Sequence, residues 1–289
     1  MMRQWKVVLA VLLVLMLALT ACGQPAQEAK TETGAQTTEK AAETTQEPIP
    51  GGTLASIKEK GKLVVGTSAD YPPYEFHTLI DGKDEIVGFD MALAKYIAEE
   101  LGVELEIADM AFESLLIGLE TGKFDMVIAA MNPDPERNAN FSEIYYTATH
   151  GIVTTKDKLE SYTTVEELAG KKLGVQIGTV QEGIGEELEG VELQALPLIT
   201  NLMLELTTGK IDGIIMEVPV AESYAKVNTD LAIVQGIEWG DESEGSAIAL
   251  KKGDDELTQE VNRILEKVKA ENLMEQWVIE ANELNEQGQ

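Results

Sequence analysis

Cysteine and histidine are nearly absent from this chain: one Cys, at position 22, and two His among 289 residues. A disulfide within one chain is excluded, and a zinc site has too few Cys and His to close it. Positive charge is also scarce, 22 Lys and Arg against 51 Asp and Glu, for a net charge of −29. Nucleic acid and anionic lipid surfaces are poor partners for such a chain. The acidic excess reads as solubility near a cell surface. Long apolar runs are missing but for one, Val7 to Leu19, about 13 residues with Arg3 and Lys6 ahead of it. That is short for a membrane span and right for an export signal. No nucleophile–base pair, metal-ligand set or phosphate-binding glycine loop is present, which weighs against an enzyme.

The export signal ends in Leu19-Thr20-Ala21-Cys22. This resembles the bacterial lipoprotein lipobox, which implies that residues 1–22 are a signal peptide whose Cys22 is lipidated and becomes the new N-terminus. Losing Arg3 and Lys6 takes the net charge from −29 to −31. Residues 23–50 are Thr, Glu, Gln, Ala and Pro with no aromatic side chain and Ile49 as the one branched aliphatic. They cannot bury a core and are expected to form a disordered stalk.

From residue 53 the pattern becomes globular. Thr53 is expected to cap a short helix that Gly61 stops. KLVVGT at 62–67 reads as a buried strand, followed by a proline-held loop from Ser68 to Tyr74. Asp90 is expected to cap a helix carrying Phe89, Leu93, Ile97 and Leu101 at a spacing of four. A strand at 103–108, a helix around Leu115 to Leu119 and a strand at 126–128 follow. This alternation predicts an α/β fold with parallel sheets. The chain then repeats itself. TGKFD at 121–125 returns as TGKID at 208–212, 87 residues on, each between an apolar helix and an apolar strand. Two lobes of like architecture are predicted, 53–153 with 247–289 and 154–246. The runs 150–155 and 245–251 are expected to link them as hinge strands.

The stretch Asp125 to Arg137 draws the functional reading. Its strand ends in Ala129 and Ala130, small enough for close approach, and then breaks at Asn132-Pro133-Asp134-Pro135. A helix start is expected at Pro135 to Arg137, with free N–H groups that suit an anion. Arg137 adds a planar fork for a carboxylate. A second helix start, Thr179-Val180-Gln181-Glu182, carries a capping box after the strand ending at Gln176. Glu217 ends the twin strand of the second lobe and is placed to take an ammonium. Arg137 and Glu217 are thus expected to bracket a zwitterion in a cleft between lobes.

The stretches GTSADYPPYEF, GFDMALAKYIAEELG, AAMNPDPER, FSEIYY, GVQIGTVQE and MEVPVAESY make 53–289 resemble the extracytoplasmic solute-binding proteins of polar amino-acid ABC transporters, bacterial family 3. The resemblance implies a two-lobed type II periplasmic-binding-protein fold. Each lobe would be a mostly parallel sheet flanked by helices, joined by two hinge strands. It implies an L-amino acid ligand, with arginine, lysine, histidine, glutamine and cystine as candidates, no cofactor or metal, a permease partner and a monomer anchored through Cys22. Arg137, with the backbone at Asn132 and Thr179, would hold the ligand carboxylate, and Glu217 with the Ala130 carbonyl its ammonium. Tyr71 and Phe112 would sandwich the side chain. Ser68, Glu75, Met131, Gln176 and Met216 would tune specificity, with Val180 and Gln181 completing the wall. Two other readings stand beside it: an enzyme on the same fold, related to cyclohexadienyl or arogenate dehydratases, with Glu217 or His150 as acid or base, and a sensory protein acting through a separate receptor.

Overall fold

A computed structural model describes residues 52–240 and 244–287. The leader, Cys22 and the stalk expected over 23–50 lie outside the described residues. Among the described residues no helix is long and apolar enough to cross a membrane.

The first lobe opens with helix α1 (Gly52–Lys60) and strand β1 (Lys62–Thr67). Thr53 therefore lies inside the helix rather than at its cap. A small antiparallel sheet follows, β2 (Asp70–Tyr71), β3 (Glu75–Ile80) and β4 (Lys83–Val87), absent from the sequence reading. Helix α2 (Phe89–Leu101) leads to β5 (Glu104–Asp109), a short 3₁₀ turn at Phe112–Ser114, α3 (Leu115–Glu120), β6 (Met126–Val127) and β7 (Ala139–Tyr146). The second lobe carries β8 (His150–Thr155), β9 (Lys172–Gln176), α4 (Val180–Glu187), β10 (Glu192–Leu196), α5 (Ile199–Thr207), β11 (Gly213–Glu217), α6 (Val218–Val227) and β12 (Leu231–Ile233). The chain returns through β13 (Ser246–Lys251), α7 (Asp255–Ala270) and α8 (Leu273–Gln287).

Two five-stranded sheets result, ordered β5-β1-β6-β13-β7 and β10-β9-β11-β8-β12. In each, three parallel strands meet a fourth that runs antiparallel. The inner strands β6, β8, β9, β11 and β13 are covered on both faces, which is why they read as near-continuous apolar runs. In the first lobe Leu63, Val65, Met126 and Ile128 pack on α2 and α7, while Val127 and Ala129 face Phe112, Leu115 and Phe124.

Both expected linkers are strands, and each is paired within a sheet. β8 pairs with β11 from His150 onward, and β13 pairs with β6 and β7. Both runs are buried almost throughout, His150 to Thr154 and Ser246 to Leu250, as strands covered on both faces are. The chain leaves the first sheet after Tyr146 and enters the second at His150, so the passage falls at 147–149, ahead of the division drawn at 153/154.

The repeat is physical. Gly66 in β1 pairs with Val127, and Gly174 in β9 with Ile214, the two partners being 87 residues apart. The Asp125 N–H donates to the Val64 carbonyl and its carboxylate accepts the Val64 N–H, and Asp212 does the same with Lys172, the matching position.

Candidate functional site

The site forms where the C-terminal ends of β1, β6 and β9 meet between the lobes. Gly88 is one local requirement for it. Its φ is +123°, and a Cβ there would stand 2.0 Å from the Tyr74 carbonyl oxygen. With glycine the chain passes close enough for the Phe89 and Asp90 N–H groups to reach Pro73 and Tyr74 carbonyls at 3.1 and 3.0 Å. α2 therefore begins directly beneath the site. Asp90 is not its cap, as expected from sequence. It sits one turn-position inside, fully buried, and its Oδ2 accepts the Ala130 N–H and the Tyr145 hydroxyl, both at 2.9 Å. That bond holds Ala130 at φ +49°, a strained conformation for a residue with a Cβ, at the wall of the site.

The cavity is small, about 310 Å³ with its opening to solvent included, and is walled by Ser68, Tyr71, Glu75, Phe112, Ala129, Ala130, Asn132, Arg137, Gln176, Thr179, Val180 and Gln181. Eleven of the fourteen ligand-site residues named from sequence stand in that wall; Met131, Met216 and Glu217 do not. Met131 turns into the first lobe's core beside Phe112 and Phe124. Glu217 lies behind Tyr71, whose hydroxyl oxygen accepts the Glu217 N–H at 3.1 Å. Glu75 was read as a position that varies, and its place in the wall follows from the hairpin the sequence reading lacked. Ala129 and the supporting Asp90 carried no signal beyond smallness and a cap-like position.

No helix forms at Pro135. Asp134 accepts the Glu136 N–H on its side chain at 2.8 Å and the Arg137 N–H on its carbonyl at 3.0 Å, a closed turn that runs straight into β7. The anion donors expected there are thus absent, and Arg137 acts through its side chain. Its Nη2 donates to the Gly178 carbonyl across the lobes at 2.9 Å, its Nη1 is buried without a partner, and the guanidinium carbon lies 5.7 Å from the Phe112 ring centre. Burial pulls its pKa below the ordinary value, opposed by Asp134. The second helix start is present as expected. The Thr179 hydroxyl accepts the Glu182 N–H at 3.3 Å, and Glu182 accepts the Gly178 N–H at 2.7 Å.

Three acids at and behind the wall are buried more deeply than Arg137. Glu75 and Glu217 are 1% exposed and Asp90 fully buried, and Glu75 Oε2, Asp90 Oδ1 and both Glu217 carboxyl oxygens lack partners. Burial raises Glu217 to about 8 and Asp90 to about 6, and burial with the neighbouring Asp90 lifts Glu75 well above its ordinary value. Among the described residues no cluster of His, Cys, Asp and Glu could hold a metal ion. His150 is not in the inner wall. It is buried, its Nδ1 lies 3.1 Å from Gln181 Nε2, and burial lowers it to about 4.

Two lobes of repeated α/β design closing on a small, charge-lined cavity define a cleft-type solute-binding protein. The model of the bacterial extracellular solute-binding proteins, family 3, matches residues 63–280, and the chain belongs to that family. The arginine-binding extracellular protein ArtP of Bacillus subtilis is 41% identical over 230 residues, 75% of this chain and 86% of that protein. An amino acid ABC transporter substrate-binding protein from Streptococcus pneumoniae, crystallised with L-arginine, is 37% identical with a TM-score of 0.77, covering 80% of this chain and 98% of that one. The ancestral amino acid-binding protein AncCDT-1, a precursor of cyclohexadienyl dehydratase, is 33% identical with a TM-score of 0.70, covering 78% and 99%. The chain is therefore a binding protein rather than an enzyme.

Proposed function

We propose that this protein captures a basic L-amino acid, L-arginine foremost, between its lobes and delivers it to the permease of an ABC importer. One observation carries the choice of ligand. Two buried acids, Glu75 in the cavity wall and Glu217 behind Tyr71, share the site with one half-buried cation, Arg137. A ligand that pairs these charges brings one carboxylate and two cations, since buried charge must be paired. Arginine and lysine meet that condition; glutamine and cystine do not. The arginine bound in a relative of 37% identity supports the same choice.

In this reading Arg137 Nη1 holds the carboxylate together with the Thr179 and Val180 N–H groups at the start of α4. Glu217 is the charge behind the ammonium, reached past Tyr71 and the Ala130 carbonyl. Tyr71 and Phe112 lie on the side chain's path, and Glu75, with Ser68 and Gln176 beside it, takes the guanidinium. Delivery takes place outside the cell membrane, with the protein tethered as a monomer through a lipid on Cys22.

Thermal melting against each L-amino acid and cystine tests the proposal. A ligand at a hundred times its Kd adds roughly 2.7 kcal/mol of stability. Arginine is expected to give the largest shift, lysine a smaller one and glutamine little. A shift with neutral amino acids and none with arginine would overturn the charge argument.

A further inference from the structure

The two faces of the cleft are built unequally. Since Gly66 matches Gly174 in register, Asp70 of the first lobe is the counterpart of Gly178 in the second. By the 87-residue repeat, Phe112 is likewise the counterpart of Ile199. Each of these turns meets the helical segment of the opposite lobe. Asp70 Oδ2 accepts the Ile199 N–H at 2.7 Å and lies 3.5 Å from the Thr200 nitrogen, at the first turn of α5. Its carbonyl accepts the Tyr224 hydroxyl from α6 at 2.8 Å. Gly178 has no side chain to offer. A Cβ there would stand 3.4 Å from the Glu113 Cβ, and its carbonyl takes one Arg137 N–H.

We infer that Asp70 is a positioning residue for ligand capture: it clasps α5 and α6 of the second lobe to the first, keeps that face of the cleft shut, and leaves the Gly178 face as the one that opens. Asp70 is outside the cavity wall, so the clasp does not touch ligand. A carboxylate on two otherwise unpaired helix N–H groups is a strong cap, here formed between lobes. The same face carries further ties. Asn285 of α8 donates to the Ser223 carbonyl at 3.3 Å, Lys226 pairs with Glu286 at 3.1 Å, and Tyr71, Tyr74 and Phe89 share one apolar cluster with Ile199 and Leu202. The Gly178 face holds the larger opening, about 1390 Å³ including its mouth, between Asn132, Ile144, Gly178, Ile184 and Glu187, against about 910 Å³ beside Asp70, Thr200 and Tyr224. Arg137 crosses that face and also walls the ligand cavity. The residue proposed to meet the carboxylate thus stands on the moving side, and ligand enters there.

The inference rests on the amino-acid-binding reading for its ligand, but its main readout does not. Spin-label distances are measured in the full chain carrying Cys22→Ser, with Asp84→Cys/Asn201→Cys spanning the Asp70 face and Glu120→Cys/Glu186→Cys spanning the Gly178 face, all four positions being exposed. Without ligand the first distance is expected to be narrow and the second broad; arginine narrows the second alone. Asp70→Ala broadens the first and raises the arginine Kd roughly tenfold, through loss of a charge-assisted bond. Tyr224→Phe, which deletes one hydroxyl, moves both readouts the same way by less and decides the matter if Asp70→Ala does not fold. A first distance as broad as the second in the parent chain would overturn the clasp. So would unchanged distances and Kd in the folded variants. If no amino acid binds, the functional proposal fails, and the distances still judge the clasp.

Discussion

Asp125 in the first lobe and Asp212 in the second do the same work. Each follows a helix and a left-handed glycine, Gly122 or Gly209, and each takes the N–H of the neighbouring strand and a lysine. Beyond those anchors the lobes part. At the matching strand ends the first lobe places Ala130 and the second Glu217; at the matching turns the first places Asp70 and the second Gly178. The buried scaffold tolerates little change, because its inner strands are covered on both faces. The strand ends meet solvent or ligand and are free to diverge, and at them the charge of the site resides.

The sharpest way to break the likeness is to remove Arg137, the cation that the first lobe places in the cavity wall. Arg137→Ala is expected to weaken arginine binding more than a hundredfold, the cost of leaving a buried carboxylate unpaired being roughly 3 kcal/mol or more. Its melting temperature without ligand should hardly move, since Arg137 makes one hydrogen bond at the cleft and none in a core. Titration calorimetry and melting together check this, and retained affinity would remove the carboxylate assignment.

Glu217, the second lobe's answer to Ala130, sharpens the comparison through pH. Its folded pKa of about 8 lies above its ordinary 4.5, and those of Asp70 and Asp90, about 6, lie above 3.8. Between the ordinary and the raised values the folded state binds more protons than the unfolded one, so stability falls as pH rises. His150 acts the other way: lowered from 6.5 to about 4, it favours folding as pH rises across that interval. Above 6.5 that compensation is over while Glu217 still titrates. The ligand-free protein is therefore expected to melt lower at pH 8 than at pH 6.5, and Glu217→Gln to flatten that decline. A paired cation favours the ionised carboxyl, so arginine binding near pH 7 should release protons, read by calorimetry in buffers of different ionisation enthalpy.

How much of this was legible in the sequence differs between scaffold and tips. The strands at Met126 and Ile214 and the TGK-apolar-Asp repeat announced themselves, because burial on both faces forces long apolar runs and glycine caps. Arg137, Thr179 and Gln176 were found because chemistry at strand ends follows residue type. The β3–β4 hairpin was missed: its alternation is weak, with Lys83, Asp84 and Glu85 all exposed on an edge. Asp90 was misread because an acid at a helix start looks like a cap, whereas Gly88 fills that place and frees the carboxylate for Ala130. The helix expected at Pro135 lost to the Asp134 side chain, which offers the backbone a tighter turn.

The twin anchors themselves should respond alike but not equally. Asp125 is nearly buried, its side chain 10% exposed, while that of Asp212 is 30% exposed. Asp125→Ala is expected to cost about 2 kcal/mol and Asp212→Ala about 1 kcal/mol in urea unfolding, since a less buried partner loses less when its N–H is left unpaired.

The smallest effects separate the paired glycines. A Cβ on Gly66 would stand 2.8 Å from the Phe124 ring, and one on Gly174 would stand 2.7 Å from Ile211 Cδ1 and 2.8 Å from Leu202 Cδ2. An aromatic ring wedged against Gly118 cannot turn aside, for a Cβ there would lie 2.3 Å from the same ring. The ends of Ile211 and Leu202 can rotate. Overpacking is therefore expected to cost about 2 kcal/mol for Gly66→Ala and about 1 kcal/mol for Gly174→Ala, measured by the same urea midpoints. An equal cost would mean that the second lobe's core is as rigid as the first. The flexibility inferred for the cleft would then lie entirely in the passages between lobes rather than in the way either sheet is packed.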